Sequence, residues 1–96
     1  MSIYFLFIIE VALMNDPDYI ETLEIIALNV KKFREKKGFS QLNLALEAEC
    51  SRTQISRIEN RDVNPSIFTL SKIARALDKK ISDLFIIKDK EATKKD

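Results

Sequence analysis

A helical period runs through residues 22–37 of the chain. The apolar positions are three or four residues apart, and they are Leu23, Ile26, Val30 and Phe33. This spacing puts the apolar side chains on one face of a helix and leaves the charged side chains on the other. The pattern predicts an amphipathic helix that ends at Gly38, because glycine readily adopts the left-handed conformation that terminates helices.

Polar residues suited to helix capping mark the next helices. Ser40 is placed to cap a second helix that runs to about residue 48, and Ser51 is placed to cap a third. Gln54 lies three residues after Ser51 and completes a capping box. The sequence Asn-Pro-Ser at 64–66 opens a fourth helix, whose predicted buried stripe is Ile67, Leu70, Ile73, Ala74 and Leu77.

A short fifth helix is predicted around residues 82–85. It would close the core with three apolar side chains, Ile81, Leu84 and Phe85. Five short helices from one amphipathic series predict an all-α fold, a compact five-helix bundle. The expected organisation is an apolar extension and linker at 1–20, a domain at 21–87 and a charged flexible tail at 88–96.

The extension at residues 3–14 is apolar except for Glu10. It is too short to span a bilayer as a helix, and its β-branched and aromatic residues are as compatible with a short strand as with a helix. Residues 15–18 are interpreted as a turn or linker. Two explanations stay open: the extension packs on the domain or pairs with a second subunit, or translation begins at Met14 and residues 1–13 are not native.

Composition narrows the possible functions. The chain has one glycine, one cysteine and no histidine, so neither Ser-His catalysis nor a zinc site of the usual kind is expected. We therefore expect a protein that is not an enzyme and holds no cofactor. The net charge is only +1, but residues 21–85 carry twelve basic side chains against nine acidic ones. A weakly basic domain is compatible with a binder that uses a few placed contacts on DNA.

The third helix has a polar outer face. If Ile55 and Ile58 point into the core, the opposite side carries groups that can donate hydrogen bonds, namely Arg52, Thr53, Ser56 and Arg57. Arginine suits a bidentate contact to guanine, and threonine can contact any base edge. Such a face on a short, capped helix is suited to reading base edges in the major groove of DNA.

Several motifs occur together in register. They are Gly38-Phe39-Ser40-Gln41, Leu44-Ala45, Ser51-Arg52, Ile55-Ser56-Arg57-Ile58-Glu59-Asn60, Asn64-Pro65-Ser66, Leu70, Lys72-Ile73-Ala74, Ala76-Leu77 and Ser82-Asp83-Leu84-Phe85. In this order they resemble the phage repressor and Cro type of helix-turn-helix domain, over residues 23–85. The resemblance implies a repressor-like DNA-binding domain whose third helix lies in the major groove.

The resemblance also implies roles for individual residues. Base contacts are expected at Arg52, Thr53 and Arg57, with Ser56 as a further candidate. Phosphate contacts are expected at Ser40 and Gln41, where a helix begins, and at Asn60 and Arg61 just after the third helix. Arg34 and Glu59 fall where the family has an internal ion pair, and Cys50 falls at a core position.

Two groups of residues depart from the family pattern. Glu49 and Arg61 stand where the family commonly has glycine, so a left-handed backbone there would cost about 1 kcal/mol each. Leu42, Leu46 and Phe68 are apolar where the family is usually polar, and extra exposed apolar surface normally marks a contact.

Two functions follow as hypotheses. The first is a sequence-specific transcriptional regulator of bacterial or phage origin, cytoplasmic and associated with the nucleoid. It would bind double-stranded operator DNA as a homodimer, through a surface after Leu77 that includes Ile81, Phe85, Ile86 and Ile87, with Phe68 as a further candidate. The second is an antitoxin or other protein-binding module whose residues 3–14 engage a protein partner. Neither requires a membrane or a metal.

Overall fold

The computed structural model describes residues 2–6, 8 and 15–87. Residues 15–87 contain four α-helices: α1 (Pro17–Lys36), α2 (Gln41–Ala48), α3 (Arg52–Glu59) and α4 (Ile67–Ala76). A 3-10 helix, Ile81–Phe85, follows α4. No strand is found in this part of the chain. The prediction of an all-α fold is confirmed for these residues.

Helix α1 is longer than the sequence pattern predicted. It begins at Pro17 rather than near residue 22, because the Asp16 carboxylate caps it by accepting a hydrogen bond from the Asp18 N–H at 2.8 Å. Proline suits the first helical position, where its missing N–H would have had no partner in the helix. Asn15 lies in a turn, as one interpretation of residues 15–18 predicted, whereas Asp16 caps the helix and Pro17 and Asp18 belong to it.

One apolar core joins the four α-helices and the 3-10 helix. Its fully buried members include Val30, Leu44, Ile55, Ile73 and Leu84, each from a different helix. The predicted stripe of α4 is buried except for Ile67, which is 64% exposed. The prediction for Ile67 was wrong, because this residue is the first of the helix and lies beyond the edge of the core.

A buried amide holds the C-terminal 3-10 helix against α1. Asn29 is 1% exposed, and its Nδ2 lies 3.0 Å from the carbonyl oxygen of Leu84 and 2.8 Å from that of Ile86. A buried amide is stable only when its N–H groups have acceptors, so this contact fixes the path of the chain after the helix.

The described part of the N-terminal extension is helical and exposed. Ile3, Tyr4, Phe5, Leu6 and Ile8 have helical backbone, which resolves the choice between helix and strand for these residues. Their side chains are 49–78% exposed, and Leu42, Leu46 and Phe68 are also exposed. These five side chains keep much of their apolar surface exposed, and the packing of the whole segment 3–14 stays a prediction. Residues 9–14 and the tail at 88–96 lie outside the described residues.

Candidate nucleic-acid interface

Helices α2 and α3 form a helix-turn-helix unit with a capping box at the start of each helix. The Ser40 and Ser51 side chains accept hydrogen bonds from the N–H groups of Asn43 and Gln54. The Asn43 and Gln54 side chains in turn accept from the N–H groups of the two serines, at 3.2 and 3.0 Å. These bonds satisfy two N–H groups at the start of each helix and leave two more in each first turn for an external partner.

The turn between α2 and α3 is left-handed. Glu49 has φ 56°, and the N–H of Cys50 donates to the carbonyl oxygen of Ala45 at 2.9 Å. Lys72 of helix α4 steadies the turn, because its Nζ donates to the carbonyl oxygen of Glu49 at 2.9 Å. Arg61, after α3, has φ 62°. Both positions thus carry the strain predicted for residues that replace glycine.

Helix α3 buries one face and presents the other to solvent. Ile55 and Ile58 are buried, whereas Arg52, Thr53 and Arg57 are exposed. At about 100° per residue, Thr53 and Arg57 point away from the core and Arg52 lies to the side of them in the first turn. Asn60, seven residues after Thr53, shares their face just beyond the end of the helix.

The exposed side chains of α3 differ in how far they are already engaged. Within the described part of the chain, no hydrogen bond or ion pair holds the side chains of Arg52, Thr53 or Arg57. Ser56 is half-buried, and its Oγ lies 3.5 Å from Nδ2 of Asn60. The first three side chains can therefore turn toward a ligand with no internal bond to break, whereas Ser56 and Asn60 contact each other.

The predicted phosphate contacts lie at both ends of the helix-turn-helix unit. Ser40 and Gln41 are at the start of α2, where the N–H groups of Gln41 and Leu42 have no partner within the helix. Asn60 and Arg61 are exposed at the end of α3. Helix N-termini attract anions because unpaired N–H groups and the helix dipole point at them.

A buried carboxylate connects three helices behind this interface. Glu59 accepts from Arg34 through two bonds, Nε to Oε2 at 2.7 Å and Nη2 to Oε1 at 3.0 Å. The Glu59 side chain is 6% exposed, and this hydrogen bond raises the pKa of the Arg34 guanidinium above its ordinary value. Arg34 also donates to the Phe39 carbonyl oxygen at 2.9 Å. The pair therefore fixes the end of α3 and the loop before α2 relative to α1.

Gln41 also belongs to this network. Its Nε2 donates to Oε1 of Glu59 at 3.1 Å, and the residue is half-buried. The sequence did not reveal this contact, because it joins residues on different helices. Since an amide nitrogen carries two hydrogens, one N–H of Gln41 remains for a second acceptor. Glu59, at the end of α3, thereby orients the side chain of Gln41 at the start of α2.

Two further roles were missed from the sequence. Asn43 is the third residue of α2 and forms half of its capping box, and Asn29 holds the 3-10 helix. Asn29 stands three residues after Ile26 and four before Phe33, so its place in the apolar period was a readable signal of burial.

Cys50 has the environment of a packing residue. It is half-buried beside the core, and this burial raises the pKa of its thiol. No group of three or more histidine, cysteine or acidic side chains is arranged to hold a metal among the described residues. Within the same residues, none of the helices has the length and apolar content required to cross a membrane.

The architecture matches that of known proteins. A family model for helix-turn-helix domains (HTH_3) matches residues 30–84. The chain is 39% identical over 62 residues to an uncharacterised HTH-type transcriptional regulator from Archaeoglobus fulgidus, covering 65% of this chain and 89% of that protein. Two further matched proteins are longer than the matched region. The chain spans 58% of the length of a hypothetical transcription factor from Neisseria meningitidis and 60% of the length of the transcriptional regulator SinR from Bacillus licheniformis.

Solved structures show the same arrangement. The restriction-modification controller protein C.AhdI from Aeromonas hydrophila is similar with a TM-score of 0.64 and 30% identity, covering 66% of this chain and 96% of that one. SinR, a master regulator for biofilm formation solved in complex with DNA, is similar with a TM-score of 0.58 and 37% identity. That match covers 62% of this chain and 95% of the SinR chain. The chain belongs to the helix-turn-helix family.

Proposed function

We propose that the chain is a transcriptional regulator that binds a specific double-stranded DNA sequence, with helix α3 in the major groove. The observation that carries this proposal is the outward face of α3, where Arg52, Thr53 and Arg57 are exposed and have no partner within the described residues. A capped helix with unengaged arginines can enter a groove and bond base edges without losing internal contacts. The similarity to SinR, which was solved with DNA, supports the same reading.

Base contacts and phosphate contacts have different roles in this proposal. Arg52, Thr53 and Arg57 read base edges, with Ser56 as a further contact if its bond to Asn60 opens. Phosphates on either side are bound by Ser40, Gln41, Asn60 and Arg61, and these contacts set the orientation of α3. Phosphate contacts add affinity but carry no sequence information. The chain acts by binding, and no catalytic step is part of the proposal.

The target is an operator with two-fold symmetry. One helix-turn-helix unit makes too few base contacts for high specificity, so two copies bind half-sites about one helical turn, roughly 34 Å, apart. A good bidentate contact contributes about 1–3 kcal/mol of discrimination, so the arginines of α3 account for much of the preference.

Selection of bound sequences from random double-stranded DNA tests this function directly. We expect a two-fold related consensus for the native chain and altered preferred bases for Arg52→Ala and Arg57→Ala. Arg75→Ala is a matched control, because Arg75 is an exposed arginine on α4 rather than on α3. It should leave the selected bases unchanged.

Three outcomes separate the components of the proposal. Lower affinity with unchanged base preference would assign Arg52 and Arg57 to phosphate contact. Selected bases that neither substitution alters would refute the readout assignment. Failure of the native chain to enrich any sequence would refute specific DNA binding itself.

A second function, as an antitoxin or other protein-binding module, is favoured by one observation. Ile3, Tyr4, Leu6 and Ile8 are exposed on helical backbone, and residues 3–14 could engage a protein partner. A chain that lacks residues 1–13 distinguishes the two functions. Unchanged operator affinity together with loss of a co-purifying protein would favour the second function, and unchanged behaviour in both assays would exclude it.

A further inference from the structure

The outer face of helix α1 carries an apolar side chain that the domain does not cover. Leu28 is 61% exposed, although its neighbours Ala27 and Asn29 are buried. The preceding turn presents Ile25, which is half-buried. Leu28 lies on the side of α1 away from the core, so nothing in the bundle accounts for a leucine at this position.

The end of the described chain runs beside α1 and also carries exposed apolar side chains. The carbonyl oxygen of Ile86 is 2.8 Å from Nδ2 of Asn29, the residue next to Leu28. This contact brings the backbone of Ile86 alongside α1, and the side chains of Ile86 and Ile87 are each 47% exposed. We call Leu28, Ile86 and Ile87 together the α1 surface.

Charges on either side of Leu28 are placed symmetrically. Glu24 lies four residues before Leu28 and Lys32 four residues after it, and both are exposed. Four residues correspond to about 6 Å along a helix, so the two charges are equally distant from the leucine. Lys32 lies over the ring of Phe33, with Nζ 5.1 Å from its centroid. A carboxylate of a partner would compete with that contact for the ammonium group.

We propose that the α1 surface binds the α1 surface of a second copy of this chain. In a two-fold symmetric interface, the same patch faces itself in reversed direction. When two copies of α1 cross antiparallel at Leu28, Glu24 of each copy meets Lys32 of the other. The occupant is therefore a second copy, because this charge pattern is complementary to itself. A surface for a different partner would have no need of this symmetry.

The next charges along α1 fix how the helices cross. Glu21 and Glu35 lie seven residues before and after Leu28, and close alignment would bring these like charges together. Inclined helices diverge away from their crossing point, and about 50° is the commonest inclination for packed helices. The copies therefore meet at Leu28, Glu24 and Lys32 and separate before Glu21 and Glu35. Glu35 is also compensated by Arg34, whose Nη2 lies 4.0 Å from its carboxylate.

This inference supplies the contact surface for the dimer that the proposed function includes. The test uses the full chain without DNA, so its failure is distinguishable from a failure of the proposed function. Sedimentation equilibrium is measured from about 1 µM to about 1 mM, since a patch of this size gives a weak interface. Leu28→Ser should weaken association about tenfold or more.

Charge reversal provides the decisive comparison. Glu24→Lys and Lys32→Glu should each weaken association about tenfold, because each places like charges opposite one another. The double variant E24K/K32E restores the opposite charges and should return association close to that of the native chain. Recovery of this kind separates pairing across the interface from general damage, and circular dichroism confirms that each variant is folded.

Leu46→Ser is the matched control, because Leu46 is an exposed leucine on α2 rather than on α1. It should leave association unchanged. A native chain that is monomeric throughout the concentration range overturns the proposal. Equal association of the native chain and Leu28→Ser overturns it as well, and so does a double variant as weak as either single one. Loss of association with Leu46→Ser alone would place the interface on α2 instead.

Discussion

Glu59 accepts hydrogen bonds from residues on two other helices, Arg34 of α1 and Gln41 of α2. Its carboxylate is almost completely buried, and a buried charge is tolerated only when it is paired and its oxygens have donors. At the scale of one residue, this arrangement makes Glu59 structural, although it ends the helix proposed to read DNA.

Replacement of this carboxylate should be costly. We expect Glu59→Gln to lower the free energy of unfolding by about 2–3 kcal/mol, because Arg34 would lose its counter-charge while remaining mostly buried. Urea denaturation measures the change. A loss below about 0.5 kcal/mol, the range of ordinary surface substitutions, would show that water compensates Arg34.

The exposed ion pair between Lys37 and Asp78 is a useful contrast. Nζ of Lys37 is 2.6 Å from Oδ2 of Asp78, and this bond holds the pKa of Asp78 below its ordinary value. A lowered carboxylate pKa stabilises the fold above the unfolded-state pKa, and that contribution is lost as pH falls through the folded pKa. Asp78→Asn should therefore destabilise slightly at neutral pH, and the difference from the native chain should vanish in acid. A difference that persists in acid would point to a lost contact other than the ion pair.

Helices α2 and α3 show how short elements are stabilised locally. Each has eight residues, too few to be stable alone in water, and each begins with a capping box. The turn between them opposes this stabilisation, since Glu49 has φ 56° and a side chain is disfavoured there.

Relief of that strain should stabilise the protein. We expect Glu49→Gly to raise the free energy of unfolding by up to about 1 kcal/mol, because glycine adopts the left-handed conformation without steric cost. The bond from Lys72 goes to the backbone of residue 49 and would remain. Thermal unfolding measures the change, with Glu47→Gly inside α2 as the control. The control should lose about 0.5–1 kcal/mol, and destabilisation by both changes would show that the turn is not strained.

The extent to which sequence predicts structure differs between elements. The starts of α2, α3 and α4 were predictable, because capping depends on residues within one turn of each other. The start of α1 was missed because Asp16 and Pro17 also occur in turns. Ile67 fits the apolar period of α4, yet it is exposed. Its exposure could not be predicted, because the period alone does not reveal where the core ends.

The candidate site was predictable to a similar degree. The exposed face of α3 follows from helical spacing alone. The bond from Gln41 to Glu59 and the three carbonyl groups around Nδ2 of Asn29 depend on how the helices meet, which spacing within one helix does not report.

At the scale of the whole molecule, the described domain is stabilised without help from the described part of the extension. Tyr4, Leu6 and Ile8 are exposed, whereas the core is built from α1 to the 3-10 helix. Apolar residues that stay in contact with water contribute little to folding.

Polar replacement of these three residues should leave the fold intact. We expect the triple variant Tyr4→Ser, Leu6→Ser and Ile8→Ser to change the free energy of unfolding by less than about 0.5 kcal/mol, as at other exposed sites. Leu84→Ala is the positive control, because Leu84 is completely buried, and it should lose about 2–5 kcal/mol. Destabilisation of the triple variant by more than about 1 kcal/mol would mean that these side chains pack on the domain in solution.

Cys50 gives the chain a natural chemical label beside α3. It is the only cysteine, so a thiol reagent marks a single site in the turn that leads into the helix. Because the thiolate is the reactive form and partial burial raises the thiol pKa, modification at neutral pH should be slower than that of a fully exposed thiol. The rate of alkylation therefore reports, without mutation, how accessible the turn between α2 and α3 is to solvent.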